Sequence, residues 1–543
     1  MRRPNFAGSW GRTAGAALLA GLLCCPLLAA PNGQETTTRE FQKTLPFATG
    51  QTLSVESKFG EIRIHGGGSR EVAISATIHS QAGSQGEAEK FAESVRIEVQ
   101  QDANGISVRT IVPSDGPIVI RIGHKNSYSV DYDIAVPEDA KLWVKNSFGN
   151  VDVRGVRGWV DLETRNGQLA VRDGGSAKLS NAFGSIETDG LAGDLTVTNN
   201  NGTIAVSAVQ GAVDLKDRFG SVNVRNVNGG VTISGGNGPV ELTDAGASKI
   251  SNSFGSVTVR NIHGPLTVSN NNGSIDVNTV SGISNLNGSF GSIAFANMGG
   301  SVNCTASNGR VTGGPTDGDV YVRTTFGNVA LEEIGGAVDV EDSNGGITVR
   351  EVKGKSTLKT SFGSIEASDL RKGVRATTGN GRISLTDVGG DAFAKTSFGA
   401  VTVQRVNGQL TIENSNGLVN AGSVKGDATA RTSFGAVTLD DISGSITVDN
   451  QNGAVVLSAA RTSSVCKNIT VKTSFAPIQV RLPEGAGYNV TAHTSYGRIS
   501  TDLPVTTTGQ MGGDSLNGKI GNGGCGLSLL NSNGSIEILK LSK

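Results

Sequence analysis

Phe254-Gly255-Ser256-Val257-Thr258-Val259-Arg260-Asn261-Ile262-His263-Gly264-Pro265-Leu266-Thr267-Val268-Ser269-Asn270-Asn271-Asn272-Gly273 reads as two short strands separated by turns. Val257 and Val259, then Leu266 and Val268, alternate with polar residues, which is the period of a strand and not of a helix. Gly and Asn fall between the strands because both tolerate positive φ. The stretch begins at Phe-Gly and ends, 18 residues on (272 − 254), at Asn-Gly. Outward from it the same two pairs recur along most of the chain.

Phe-Gly stands at Phe148, Phe183, Phe219, Phe254, Phe290, Phe326, Phe362, Phe398 and Phe434. Asn-Gly stands between them at Asn166, Asn201, Asn237, Asn272, Asn308, Asn344, Asn380, Asn416 and Asn452. The repeating unit is therefore about 18 residues, with Phe and Asn taking turns at one position. A unit that small cannot bury an apolar face alone, but stacked units can, adding parallel strands at about 4.8 Å per layer. These facts predict an all-β chain: a parallel β-solenoid, right-handed by the general preference of parallel crossovers, with Val257, Val259, Ile262, Leu266 and Val268 inside. Eighteen layers from Asn146 onward would make a rod roughly 85 Å long.

Parity along the strand places the Phe side chains inside, as plugs at a strand end. The residue six positions before each Asn is large and apolar, as at Val160, Leu195, Val231, Leu266 and Val302. Six before the Phe it is often small, as at Ala177, Ser248, Ser284, Ser356, Ala392 and Ala428. Large set against small is what a close-packed interior demands. The competing reading is an exposed aromatic stripe that binds something. The Asn column is expected to bond turn backbone groups.

Composition supports a chain of many tight turns. Gly contributes 77 of 543 residues and Pro only 13. Lys and Arg (47) nearly balance Asp and Glu (48), which gives no electrostatic reason to expect nucleic acid. Residues 1–30 read as a secretory signal: Arg2, Arg3 and Arg12, the apolar run Ala14 to Leu28, then Ala29-Ala30. Its loss would bring the net charge to −4 (−1 minus 3). A twin-arginine variant and lipidation of Cys24 or Cys25 are lesser alternatives. No later segment is apolar enough to span a membrane. The protein is thus expected in the periplasm, on the cell surface or outside the cell.

Residues 36–140 depart from the period and are expected to form an N-terminal β-rich cap with one short helix, Glu87 to Arg96. Strands are expected at Val95 to Val99, Ile106 to Ile111, Ile118 to Ile122 and Tyr128 to Val136. Residues 141–460 form the regular repeats. Residues 461–543 hold irregular rungs and a cap, where Phe475, Tyr496 and Asn533 keep the motif but lose the spacing. Cys466 and Cys525 each lie just before a strand that ends in the turn motif, so a bond between them would staple the C-terminal end. Intervening layers would hold them too far apart unless Thr501 to Gly524 carries the second strand beside the Phe475 layer. Cys304, in phase with Val302 and Ala306, is expected inside and free.

Nothing in the sequence assembles into catalytic chemistry. His65, His79, His124, His263 and His493 show no ligand spacing with one another or with Cys. Asp214, Asp217, Glu332, Glu333, Asp339, Glu341 and Asp342 read as solvated outward acids, and Asp440-Asp441 as a pair on opposite faces of a strand. The expectation is a protein without catalytic residues, metal or cofactor. It would be an adhesin or interaction scaffold whose long faces meet a surface glycan or another protein. The alternative is a polysaccharide lyase or hydrolase on a β-helix, which would need an irregular layer carrying clustered carboxylates.

Three stretches resemble the DUF4097 family of bacterial envelope adhesins. They are Leu53-Ser54-Val55-Glu56-Ser57-Lys58-Phe59-Gly60-Glu61-Ile62-Arg63-Ile64, Tyr132-Asp133-Ile134-Ala135-Val136-Pro137, and Gly518-Lys519-Ile520-Gly521-Asn522-Gly523-Gly524-Cys525 with Asn533-Gly534-Ser535-Ile536-Glu537-Ile538. The resemblance implies a β-solenoid at the cell envelope and brings no catalytic residues with it.

Overall fold

The computed structural model describes residues 35–112, 126–460, 466–507 and 512–541. The chain is a parallel β-solenoid of about 18 turns, nearly all β, with one helix among the described residues. Each rung supplies one strand to each of two facing sheets. In one sheet Leu266–Asn272 pairs in parallel with Ser248–Phe254 before it and Ser284–Phe290 after it. In the other, Val257–Ile262 lies between Val240–Ala245 and Ile275–Val280. Val257, Val259, Ile262, Leu266 and Val268 are all buried between the sheets.

Ile262 follows Val259 by three residues rather than two because Asn261 is left-handed, at φ 55°. Pairing skips it: Arg260 faces Asn278 and Ile262 faces Val280. The kink returns the next side chain to the core and turns the corner. Asp244, Thr279, Asn297, Asp369 and Asp441 do the same in their rungs. At Asp440-Asp441 this places both carboxylates outside, not on opposite faces.

The other corner is a column of glycines. Gly273 sits at φ 142°, and a Cβ there would meet the carbonyl oxygen of Gly255, one rung earlier, at 2.1 Å. The backbones approach too closely there for a side chain, which is why each Phe and Asn from Phe148 to Asn452 is followed by Gly; in the irregular C-terminal rungs Ala476 takes the position after Phe475.

Both ends are closed by antiparallel strands, which deny the open edges to other chains. At the start, Thr52–Phe59 is parallel to Lys141–Phe148 on one side and to Gly105–Ile111 on the other. Gly105–Ile111 then pairs antiparallel with Arg96–Gln101. Glu71–Ala82 lies antiparallel between Glu35–Pro46 and Ser127–Pro137. The helix runs Gln85–Ser94, two residues earlier than the sequence pattern suggests, because Ser84 caps it. The expected strand Ile118 to Ile122 lies outside the described residues.

At the far end the order in space departs from the order in sequence. Cys525–Asn531 inserts between Ile469–Thr473 and Tyr488–Thr494, parallel to both. Ser515–Ile520 then covers Tyr488–Thr494 antiparallel. The insertion brings Cys466 and Cys525 to adjacent layers, Cα atoms 5.8 Å apart, where they form a disulfide. Cys304 is a buried free thiol, its pKa pushed up to about 12 by burial.

Candidate functional site

The Phe column is outside. Phe148, Phe183, Phe219, Phe254, Phe290, Phe326, Phe362, Phe398 and Phe434 are exposed, from 43% for Phe148 to 64% for Phe398. This corrects the reading of these rings as interior plugs. Parity would hold only if the strand ran on straight. Asn270 is still buried, but Asn271 and Asn272 both face outward as the chain turns into Gly273. The small residues six positions upstream, such as Ser284 and Ser356, are indeed buried, yet the rings do not use the room they leave.

What stands inside the corner is the residue two places earlier. Asn146, Thr164, Asn181, Asn199, Asn252, Asn270, Thr360, Thr378, Thr396, Asn414, Thr432 and Asn450 are all buried. All but Thr164 and Thr432, whose hydroxyls have no hydrogen-bond partner among the described residues, donate from their side chains to the glycine column. Asn270 Nδ2 donates to the Gly255 carbonyl at 2.8 Å, and Asn450 Nδ2 to those of Gly435 and Gly453 at 3.0 and 2.7 Å. Thr360 Oγ1 donates to the Gly345 carbonyl at 3.1 Å and accepts from the Gly363 N–H at 3.3 Å. Turn carbonyls that lose their strand partners are satisfied this way.

The Asn of the Asn-Gly pairs does little of this work. Asn166, Asn201 and Asn272 are half-buried, and Asn237, Asn308, Asn344, Asn380, Asn416 and Asn452 are exposed. Of these side chains, Asn344 and Asn452 donate to backbone carbonyls, of Thr325 and Ser433. The expected bonding role belongs to the interior column instead, and the Asn-Gly amides face solvent.

Two members of that interior column are acids. Asp217 faces Asn199 across the ladder, and Asp217 and Asp342 are both buried, against the reading of them as outward acids. Burial pushes the Asp217 carboxyl up to about 6 despite a backbone N–H from Arg218, and raises Asp342 as well. Oδ1 of Asp217 and Oδ2 of Asp342 have no hydrogen-bond partner among the described residues.

The surface column thus alternates aromatic ring and amide. Pairing sets Asn272 beside Phe254 and Phe290, and Asn308 beside Phe290 and Phe326. The alternation survives where the sequence spacing fails. Ile446 pairs with Ile469, Ile469 with Leu527 and Leu527 with Val490. In space the order is therefore Asn452, Phe475, Asn533, Tyr496. Phe475 and Tyr496 are 62% and 80% exposed. At the other end Phe59 and Phe148 occupy neighbouring layers and stack, centroids 5.1 Å apart. Rings in adjacent layers are therefore compatible with the fold, and the two-layer spacing elsewhere is not imposed by crowding.

Several charged side chains beside the column pair within the chain: Lys145 with Glu163 at 3.1 Å, Glu341 with Lys359 at 2.6 Å, Lys395 with Glu413 at 2.8 Å. Around Phe254 and Phe290 the equivalent positions are neutral: Ser251, Ser269, Asn287 and Thr305. His65 and His79 each meet one carboxylate, Asp133 and Asp131. His124 lies outside the described residues. Among the described residues no three His, Cys, Asp or Glu side chains gather as a metal site would require.

No family model matches the chain, and no curated protein matches it. Two solved structures are similar. One is a candidate cell adhesion protein from Clostridium sporogenes, 12% identical, TM-score 0.18, over 35% of this chain and 99% of that one. The other is a candidate adhesin from Parabacteroides distasonis, 12% identical, TM-score 0.13, over 61% of this chain and 97% of that one. Likeness at that level adds nothing to the geometry.

Proposed function

We propose that the protein is an exported, non-enzymatic contact protein of the cell envelope, an adhesin-like rod whose contact face is the aromatic and amide column. One observation carries the reading: the alternation of ring and amide is kept in space at Asn452, Phe475, Asn533 and Tyr496, although the sequence order is broken there. Stability does not require exposed rings, since a half-exposed Phe gains little from burial. A long apolar line rimmed by polar groups is the usual mark of a surface that meets a partner. Export is supported by the signal-like residues 1–30 and by the Cys466–Cys525 disulfide, a bond that oxidising compartments permit. No helix of the described residues is long and apolar enough to cross a membrane. The resemblance to envelope adhesins in the sequence agrees with this assignment.

The test compares producing cells that carry the wild-type chain with cells carrying Phe326→Ser, Phe362→Ser, Phe398→Ser and Phe434→Ser together. Fractionation should recover both proteins outside the cytoplasm in equal amount. Cell aggregation and attachment to a surface should fall severalfold in the variant. Equal attachment, or retention of the wild-type chain in the cytoplasm, would overturn the proposal.

A further inference from the structure

We propose that the partner of this column is the same column on a second copy of the chain, docked antiparallel. The inference rests on reading the column as a contact face and names its occupant.

The first reason is period. Rings two layers apart lie about 9.6 Å from one another, with an amide layer between. A two-fold axis placed between a Phe layer and an Asn layer sets every ring of one copy over an amide layer of the other. Because both columns belong to the same fold, period and twist agree, and the register does not drift. A polymer with its own repeat would fall out of step after a few layers. Such an isologous contact closes at two copies.

Area is the second reason. Ten phenylalanines, from Phe148 to Phe475, are 43–64% exposed. At roughly 200 Å² per ring they offer about 1,000 Å² on one copy and about 2,000 Å² on two, at the upper end of a standard specific interface. The third is chemistry. All ten carry no polar tip, whereas a wet or sugar-facing platform favours Tyr and Trp, whose polar ends reach water or a ligand. Among the exposed rings of the column only the terminal one, Tyr496, has a hydroxyl. Finally, the positions flanking Phe254 and Phe290, in the middle of the column, carry no charge, and several flanking charges elsewhere pair within the copy, so like-charge repulsion is low at the centre of the contact.

Sedimentation equilibrium of the full exported chain tests this. The wild-type protein should show twice the monomer mass at tens of micromolar. The four-Ser variant should return to monomer mass. So should Asn344→Glu with Asn380→Glu, which keeps every ring and adds charge to the column. Mild oxidation should join copies of Asn308→Cys, near the two-fold axis, and not copies of Asn452→Cys, far from it. A monomeric wild-type protein, dimers that survive both column variants, or equal cross-linking at both cysteines would overturn the inference. A monomer that instead binds an insoluble polysaccharide through the four phenylalanines would overturn it while leaving the contact-face reading standing.

Discussion

Replacing Asp217 by Asn should stabilise the protein at neutral pH. Asn199, its ladder neighbour, donates from Nδ2 to the carbonyls of Gly184 and Gly202. A carboxylate at Asp217 offers only acceptors to the same glycine column. Its pKa is raised to about 6, above the ordinary value of 3.8, with desolvation the first cause. The sign follows from linkage. Above the folded pKa the native state carries the full cost of a buried charge. That cost shrinks as pH falls through about 6 and is gone below the unfolded value. Two units correspond to about 2.7 kcal/mol, which we halve to about 1.4 because a corner group keeps some screening by water. A recovered side-chain hydrogen bond contributes about 1 kcal/mol more. The substitution should therefore gain about 2.4 kcal/mol at pH 7.5 and about 1 kcal/mol at pH 4. Urea unfolding of both proteins at the two pH values reads the difference. An equal gain at both pH values, or none at pH 7.5, would refute the assignment of a buried, destabilised carboxylate.

Phe362→Ala should cost less than about 1 kcal/mol, because the ring is 63% exposed. Leu358→Ala, in the core of the same rung, should cost about 2–5 kcal/mol, and the two urea midpoints should differ accordingly. Gly273→Ala forces a Cβ onto the Gly255 carbonyl at 2.1 Å and should cost at least ~2 kcal/mol, seen as a lower thermal midpoint. Cys466→Ser removes a cross-link spanning 59 residues and should cost about 2–5 kcal/mol, with limited proteolysis cutting first among the C-terminal rungs.

The rung was legible because its signal is local and repeated. Alternation at Val257 and Val259, a glycine at each corner and a fixed spacing each have one physical meaning, and repetition made them mutually consistent. The direction of the Phe was not legible from parity, because parity ends where the strand does. The corner begins after Asn270, and only the close approach of Gly273 to Gly255 reveals it. A signal for the true interior residue was present. Two positions before the Phe or Asn, the chain uses Asn, Thr or Asp in most rungs, an unusual choice for a phase otherwise filled by Val, Ile and Leu. That pattern marks a buried polar corner, with a donor wherever the residue is Asn or Thr, and the conspicuous Asn of Asn-Gly masks it. The C-terminal order was legible only as a condition: a Cys466–Cys525 bond required the strand after Gly524 to lie beside the Phe475 layer, as it does, but nothing local enforces it. Inserting Cys525–Asn531 beside Ile469–Thr473 is a long-range choice, hidden from any reading that assumes layers stack in sequence order.

Hydroxyl-radical footprinting of the native protein, free and in adherent cells or assembled copies, tests the central claim most directly. In the free protein Phe362, Phe398, Phe434 and Phe475 should be oxidised readily, while Phe295, 3% exposed in the core, should stay unmodified until the chain unfolds. In the engaged protein the four column rings should become protected together. Column rings as slow to oxidise as Phe295 in the free protein, or oxidation unchanged on engagement, would contradict the account.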